Sequence, residues 1–155
     1  MMHPAELALH QYMEDAAKGD TTMSEATINK VADDIKSALQ RQFSGGNKKD
    51  EFRLRMSNVG KPTCQLWFEK NQPEKALPNP TTFVMNMMLG DIVEAVFKAL
   101  LTEAGVTYQD NEKVTLKLKD DEITGEYDLV IDDAVDDVKS ASDWSYRNKF
   151  ASYET

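Results

Sequence analysis

The chain is 155 residues long and 41% apolar, with 18 Lys and Arg against 27 Asp and Glu and a net charge of −9. This is enough for one compact domain with a real core but not for two, and the acidic total argues against a protein that grips nucleic acid by overall charge. The lone Cys64 excludes an internal disulfide and fits a reducing compartment, the start lacks the basic region of a signal peptide, and no apolar run approaches a membrane span, so a cytoplasmic protein without membrane association is expected.

Residues 5–17 predict a short helix with Leu7, Tyr12, Met13 and Ala16 inward. Thr22-Met23-Ser24-Glu25 has capping-box form, and Ile28, Val31, Ile35 and Leu39 then recur at spacings of three and four, marking the apolar face of a second helix that ends at Ser44-Gly45-Gly46-Asn47. These helices make residues 1–50 an expected N-terminal appendage to a core over 51–155. His3 and His10 read as surface residues. Charge is uneven along the chain: residues 41–75 hold eight Lys and Arg against four Asp and Glu, a local basic stretch compatible with DNA.

In residues 53–70, Ser57 or Thr63 is placed to cap a short helix carrying Cys64, Trp67 and Phe68 inward, flanked by Arg53, Arg55 and Lys61. Pro73, Pro78 and Pro80 interrupt the chain before a long helix over 82–104. Its broad apolar face comprises Phe83, Met87, Ile92, Val96, Phe97, Leu100 and Leu101, and Gly105 stops it. Gly90 inside this helix points to close approach by another backbone or by DNA.

Residues 106–108 and 114–118 read as strands, and the acidic turn 120–122 leads into Gly125-Glu126-Tyr127-Asp128-Leu129-Val130-Ile131. After the short link Asp132-Asp133 comes another β-branched run around Val135 and Val138, so two adjacent strands bring Asp128 and Asp137 together. Neither acidic run has the ligand spacing of a calcium loop. Two neighbouring carboxylates repel unless a cation lies between them, and Mg²⁺ takes hard oxygen ligands while keeping waters. Asp137 and Lys139, two apart on an extended chain, point the same way, so Lys139 can hold or deprotonate a water that attacks phosphorus. Residues 142–150 read as a helix capped by Ser142, with Arg147 and Lys149 able to meet phosphates.

Asp128 followed by Asp137-Val138-Lys139-Ser140, preceded by Gly90-Asp91-Ile92-Val93-Glu94 and by the Arg-x-Ser-x-x-Gly, Cys, aromatic order of Arg55, Ser57, Gly60, Cys64 and Trp67, resembles the PD-(D/E)XK nuclease superfamily in its RecB-like and phage exonuclease branch. The resemblance covers residues 53–150. It implies a restriction-endonuclease-like α/β core, a mixed sheet flanked by helices, and a metal-dependent deoxyribonuclease, exonuclease more than endonuclease, acting in DNA processing, recombination or degradation. By that resemblance Glu94, Asp128, Asp137 and the Val138 carbonyl hold Mg²⁺ or Mn²⁺, and Lys139 activates the attacking water. Arg53, Arg55, Ser57, Lys61, Ser140 and Arg147 contact DNA. Branch members with an iron-sulfur cluster use four cysteines, so none is expected with Cys64 alone. Further expected partners are other copies of the chain or a phage or host recombination protein, in a bacterial cytoplasm if the gene is phage-borne. The family continues into a helix with a Gln and Tyr motif and another strand; the sequence ends at Thr155, short of these, so a fragment or a minimal form is expected. A nuclease-fold module that binds DNA or a protein without cutting is the alternative.

Overall fold

The structure, a computed structural model, describes residues 3–43, 52–78, 80–119, 121–140 and 147–148. Among these it is an α/β arrangement of four α-helices and a three-stranded antiparallel sheet: α1 Pro4–Lys18, α2 Glu25–Phe43, α3 Thr63–Asn71, α4 Thr81–Glu103, β1 Gln109–Lys117, β2 Glu122–Ile131 and β3 Ala134–Asp136, in the order β1-β2-β3. The expected mixed sheet is therefore antiparallel throughout its named strands. One parallel pairing, an isolated bridge between Arg55 and Thr124, is added beside them. No helix among the described residues is long and apolar enough to cross a membrane.

The chain places α1 and α2 against α4. Ala5 of α1 joins Leu101, Leu129 and Ile131 in one buried cluster, with Phe97, Val106, Tyr108 and Val138 packed around it. Leu101 and Leu129 are fully enclosed, and each such burial contributes about 1.5–3 kcal/mol. Outside that cluster the buried apolar residues of α2 and α4 are all alanines, Ala38 on one helix and Ala95 and Ala99 on the other.

Several expected inward residues are instead exposed. On α1, Leu7, Met13 and Ala16 face solvent, and on α2 Ile28 and Leu39 do. On α3, Cys64, Trp67 and Phe68 point out, with the two rings edge to face at 5.1 Å. The first half of α4 leaves Phe83 and Met87 about half exposed. Periodicity marks which residues share a face; it does not say whether a partner covers that face along its whole length.

The start of α2 also differs. Ser24, not Thr22, caps the helix, taking the Thr27 N–H at 3.2 Å. The carboxylate that completes the cap is not Glu25 but Glu103 at the end of α4, which accepts from the Ser24 N–H at 3.2 Å, the Ser24 hydroxyl at 2.7 Å and the Thr27 hydroxyl. These hydroxyls, Thr27 foremost, hold the Glu103 carboxyl below its ordinary range. The residues expected to form a strand at 106–108 precede β1, which instead takes in the charged stretch from Gln109 to Lys113. Pairing along β2 overrides the low strand preference of those residues. The helix expected over 142–150 lies, apart from Arg147 and Asn148, outside the described residues.

Gly90 meets nothing within 4 Å of where a Cβ would stand, so no backbone of the described chain approaches it. Gly90→Ala is accordingly expected to stabilise the helix by about 0.5–1 kcal/mol, read as a rise in thermal midpoint. A fall would mean that the position is strained or crowded.

Candidate active site and adjoining clefts

The hairpin from β2 to β3 is built locally. Asp132 and Asp133 take positive φ, 48° and 63°, as a two-residue type I′ turn requires, and Asp is among the residues that tolerate it. The ladder pairs Ile131 with Ala134, Val130 with Val135 and Leu129 with Asp136, and the next step in register sets Asp137 opposite Asp128. At that step the ladder stops. The Val138 N–H donates at 2.7 Å to Asp128 Oδ2, a side-chain carboxylate taking a donor that continued pairing would have offered to a main-chain carbonyl. The strand expected to run through Val138 thus ends at Asp136, and the chain is pinned to Asp128 by a charge-assisted bond instead. One residue further, Lys139 Nζ lies 2.6 Å from Asp137 Oδ1, both side chains well exposed.

Asp128 and Glu94, the latter on α4, line one polar cleft of about 560 Å³. Asp91, Asp110 and Glu126 share its wall with Lys30, Arg41, Lys98 and Lys113. Its centre is an ion triad unforeseen from the sequence: Lys98 Nζ donates to Glu94 Oε1 and to Asp110 Oδ1, each at 2.6 Å, and Lys98 is only 6% exposed. Burial by itself lowers a lysine's pKa, but the hydrogen bonds to Asp110 and Glu94 outweigh it and leave Lys98 above its ordinary value. Burial pushes the Asp110 carboxyl up; the bond from Lys98, with help from the Asn111 N–H, more than reverses this and holds it below the ordinary range. The spacing of four between Glu94 and Lys98 was a visible signal for their pairing on one helix face, whereas nothing local connects Lys98 to Asp110. On the cleft's other wall, Asp34 holds the Lys30 ammonium above its ordinary value against the opposing effect of burial.

The donor types here, carboxylates with a main-chain carbonyl nearby, are the hard oxygens that Mg²⁺ and Mn²⁺ take. Their placement meets that requirement only in part. Glu94 and Asp128 share the cleft and Asp137 sits one register step across from Asp128, yet among the described residues no three His, Cys, Asp or Glu side chains are grouped to hold a metal. Glu94 is turned to Lys98 and Asp137 to Lys139, so each of the two carboxylates carries a lysine as its cation.

Arg53, Arg55 and Ser57 line a second cleft of about 530 Å³ with Met56, Lys113, Gly125 and Glu126. Their segment is docked on the edge of β2 away from β1 by the Thr124 N–H donating to the Leu54 carbonyl at 3.0 Å. A Cβ at Gly125 would stand 2.7 Å from Met56 Cγ, so any larger residue there would force the Met56 side chain to shift. The second cleft shares Lys113 and Glu126 with the first, so these two residues border both. The other residues expected to meet DNA are not in these walls. Lys61 bonds Glu69 of α3 at 3.3 Å, while Ser140 and Arg147 lie outside both linings.

Compared with known proteins, the chain matches no family model, no curated protein and no solved structure.

Proposed function

We propose that the chain is a metal-dependent deoxyribonuclease with a PD-(D/E)XK core, more exonuclease than endonuclease, working on DNA in the cytoplasm. The observation that carries this reading is the 2.7 Å bond from the Val138 N–H to Asp128, which fixes Asp137-Val138-Lys139 against the strand bearing Asp128, next to a cleft shared with Glu94. A helix followed by an antiparallel three-strand meander, with the acid on the second strand and Asp-x-Lys following the third, supports the same core.

In this reading Asp128, Asp137, Glu94 and the Val138 carbonyl would hold Mg²⁺ or Mn²⁺, which when bound would supply positive charge at the phosphate undergoing substitution. Lys139 donates from Nζ to the oxygen of the attacking water and keeps it facing phosphorus, its exposed 2.6 Å pairing with Asp137 being weak enough to give way. Arg53 and Arg55 neutralise backbone phosphates entering from the second cleft, a local function that the net charge of −9 does not oppose. The second reading, a nuclease-fold module that binds without cutting, is favoured by the lysine partners of Glu94 and Asp137.

The test is hydrolysis of end-labelled linear and closed-circular DNA with Mg²⁺, Mn²⁺ or EDTA. The linear substrate is expected to be degraded only with metal, and Lys139→Ala and Asp137→Asn each to lose at least about 10²-fold. Cutting of the circle would make the activity endonucleolytic. Undiminished cutting by both variants would remove the assignment.

A further inference from the structure

A third cleft borders the second. It has a volume of about 830 Å³ and shares Arg53 and Thr124 with the second, as the second shares Lys113 and Glu126 with the first. The three clefts thus border one another in sequence, from the Glu94 and Asp128 carboxylates, past Arg53 and Arg55, to a far end of different chemistry.

At that far end the wall carries Trp67, Phe52, Lys70, Lys117 and Lys119, with the carboxylates Asp121 and Glu122 beside them. Trp67 is 52% exposed, so much of its indole is open to a ligand rather than spent on the core, with the Phe68 ring edge to face beside it. Along β1, Lys113 and Lys117 are four residues apart, hence on one face and about 13 Å apart, and Lys119 follows two residues later past the strand end. The three lysines thus run from the shared wall of the first two clefts into the third. Aromatic faces beside a line of cations are what an unpaired strand needs, because every base has a face to stack and every nucleotide a phosphate to neutralise. A blunt duplex end offers only the outer face of its terminal pair, whereas an unpaired tail offers every base.

We propose that the cleft beside Trp67 seats an unpaired nucleotide of a single-stranded DNA tail, with Lys113, Lys117 and Lys119 as the phosphate rail joining it to the Glu94 and Asp128 cleft. The proposal deepens the nuclease reading and rests on it for the direction of travel, but binding at Trp67 is measurable without cutting.

The experiment is fluorescence anisotropy of a labelled single-stranded oligonucleotide and of the blunt duplex of the same sequence, both in EDTA. Wild type is expected to prefer the single strand, Trp67→Leu to bind it about 10-fold more weakly, and Trp67→Tyr to remain near wild type because a stacking face is kept. Lys117→Gln is expected to reduce the slope of log affinity against log salt by about one. Single-strand binding by Trp67→Leu equal to wild type, or no single-strand binding at all, overturns the subsite. If such a chain still degrades DNA with Mg²⁺, the subsite has failed and the nuclease stands. If Trp67→Leu loses the strand while wild type cuts nothing, the subsite stands and the nuclease reading falls.

Discussion

Asp128→Asn is expected to lower metal-dependent hydrolysis of linear DNA by at least about 10³-fold while leaving the fold in place. The amide is isosteric and keeps an oxygen to accept the Val138 N–H, so the link that fixes Asp137-Val138-Lys139 survives in weakened form. What disappears is the negative charge, and with it most of the site's attraction for a divalent cation. Asp128→Ala separates the two roles. It strands the half-buried Val138 N–H, which costs about 1–3 kcal/mol beyond the lost charge, so its thermal midpoint is expected to fall below that of Asp128→Asn. Thermal unfolding alongside the cleavage assay reads both effects. An Asn variant with wild-type cleavage would exclude Asp128 from the chemistry, and an Ala variant as stable as Asn would mean the bond to Val138 contributes little.

The largest effect on stability is expected at Lys98. Lys98→Met keeps the aliphatic stem in its packed position and removes only the ammonium, leaving Glu94 and Asp110 facing each other without their shared cation. Breaking a fully buried pair costs about 3–5 kcal/mol; because the Asp110 side chain is 50% exposed, solvent screening reduces the expectation to about 2–3 kcal/mol. The pH dependence is fixed by the directions of the two shifts. The Asp110 carboxyl lies below its ordinary value, so its contribution is present above that value and fades as pH falls through the lowered one. The Lys98 ammonium lies above its ordinary value, so its contribution is full below that value and fades as pH rises through the raised one. The gap in midpoint between wild type and Lys98→Met is therefore expected to be widest around neutrality and to narrow toward both extremes. A gap that ignores pH would show that the variant acts through packing rather than charge.

The lysine partners also bear on how the candidate site is read. With Glu94 on Lys98 and Asp137 on Lys139, two of the three expected acidic ligands already have a cation at 2.6 Å. These two pairs differ in how easily they can be exchanged. The Asp137 and Lys139 side chains are 59% and 65% exposed, where an ion pair is worth at most about 1 kcal/mol and yields readily to a divalent ion. The Lys98 ammonium is enclosed and doubly bonded, so Glu94 is the carboxylate held in place and Asp137 the one able to turn.

The sequence by itself determined the β2 to β3 hairpin, the meeting of Asp128 with the Asp137 segment, and the end of α4 at Gly105. Each is written in neighbouring residues: two turn-forming aspartates between β-branched runs, and a glycine at φ 73° that stops the helix. Only the tertiary structure decided that Glu103 caps α2 from 79 residues away, that Asp110 captures Lys98 from 12 residues away, that the charged start of β1 becomes strand, and that Trp67 and Phe68 face outward. The reason is range. Turn dihedrals and helix stops are set by a few adjacent residues, whereas the partner of a buried charge and the covering of an apolar face are chosen from everything the fold brings near, and that choice leaves no periodic mark in the chain.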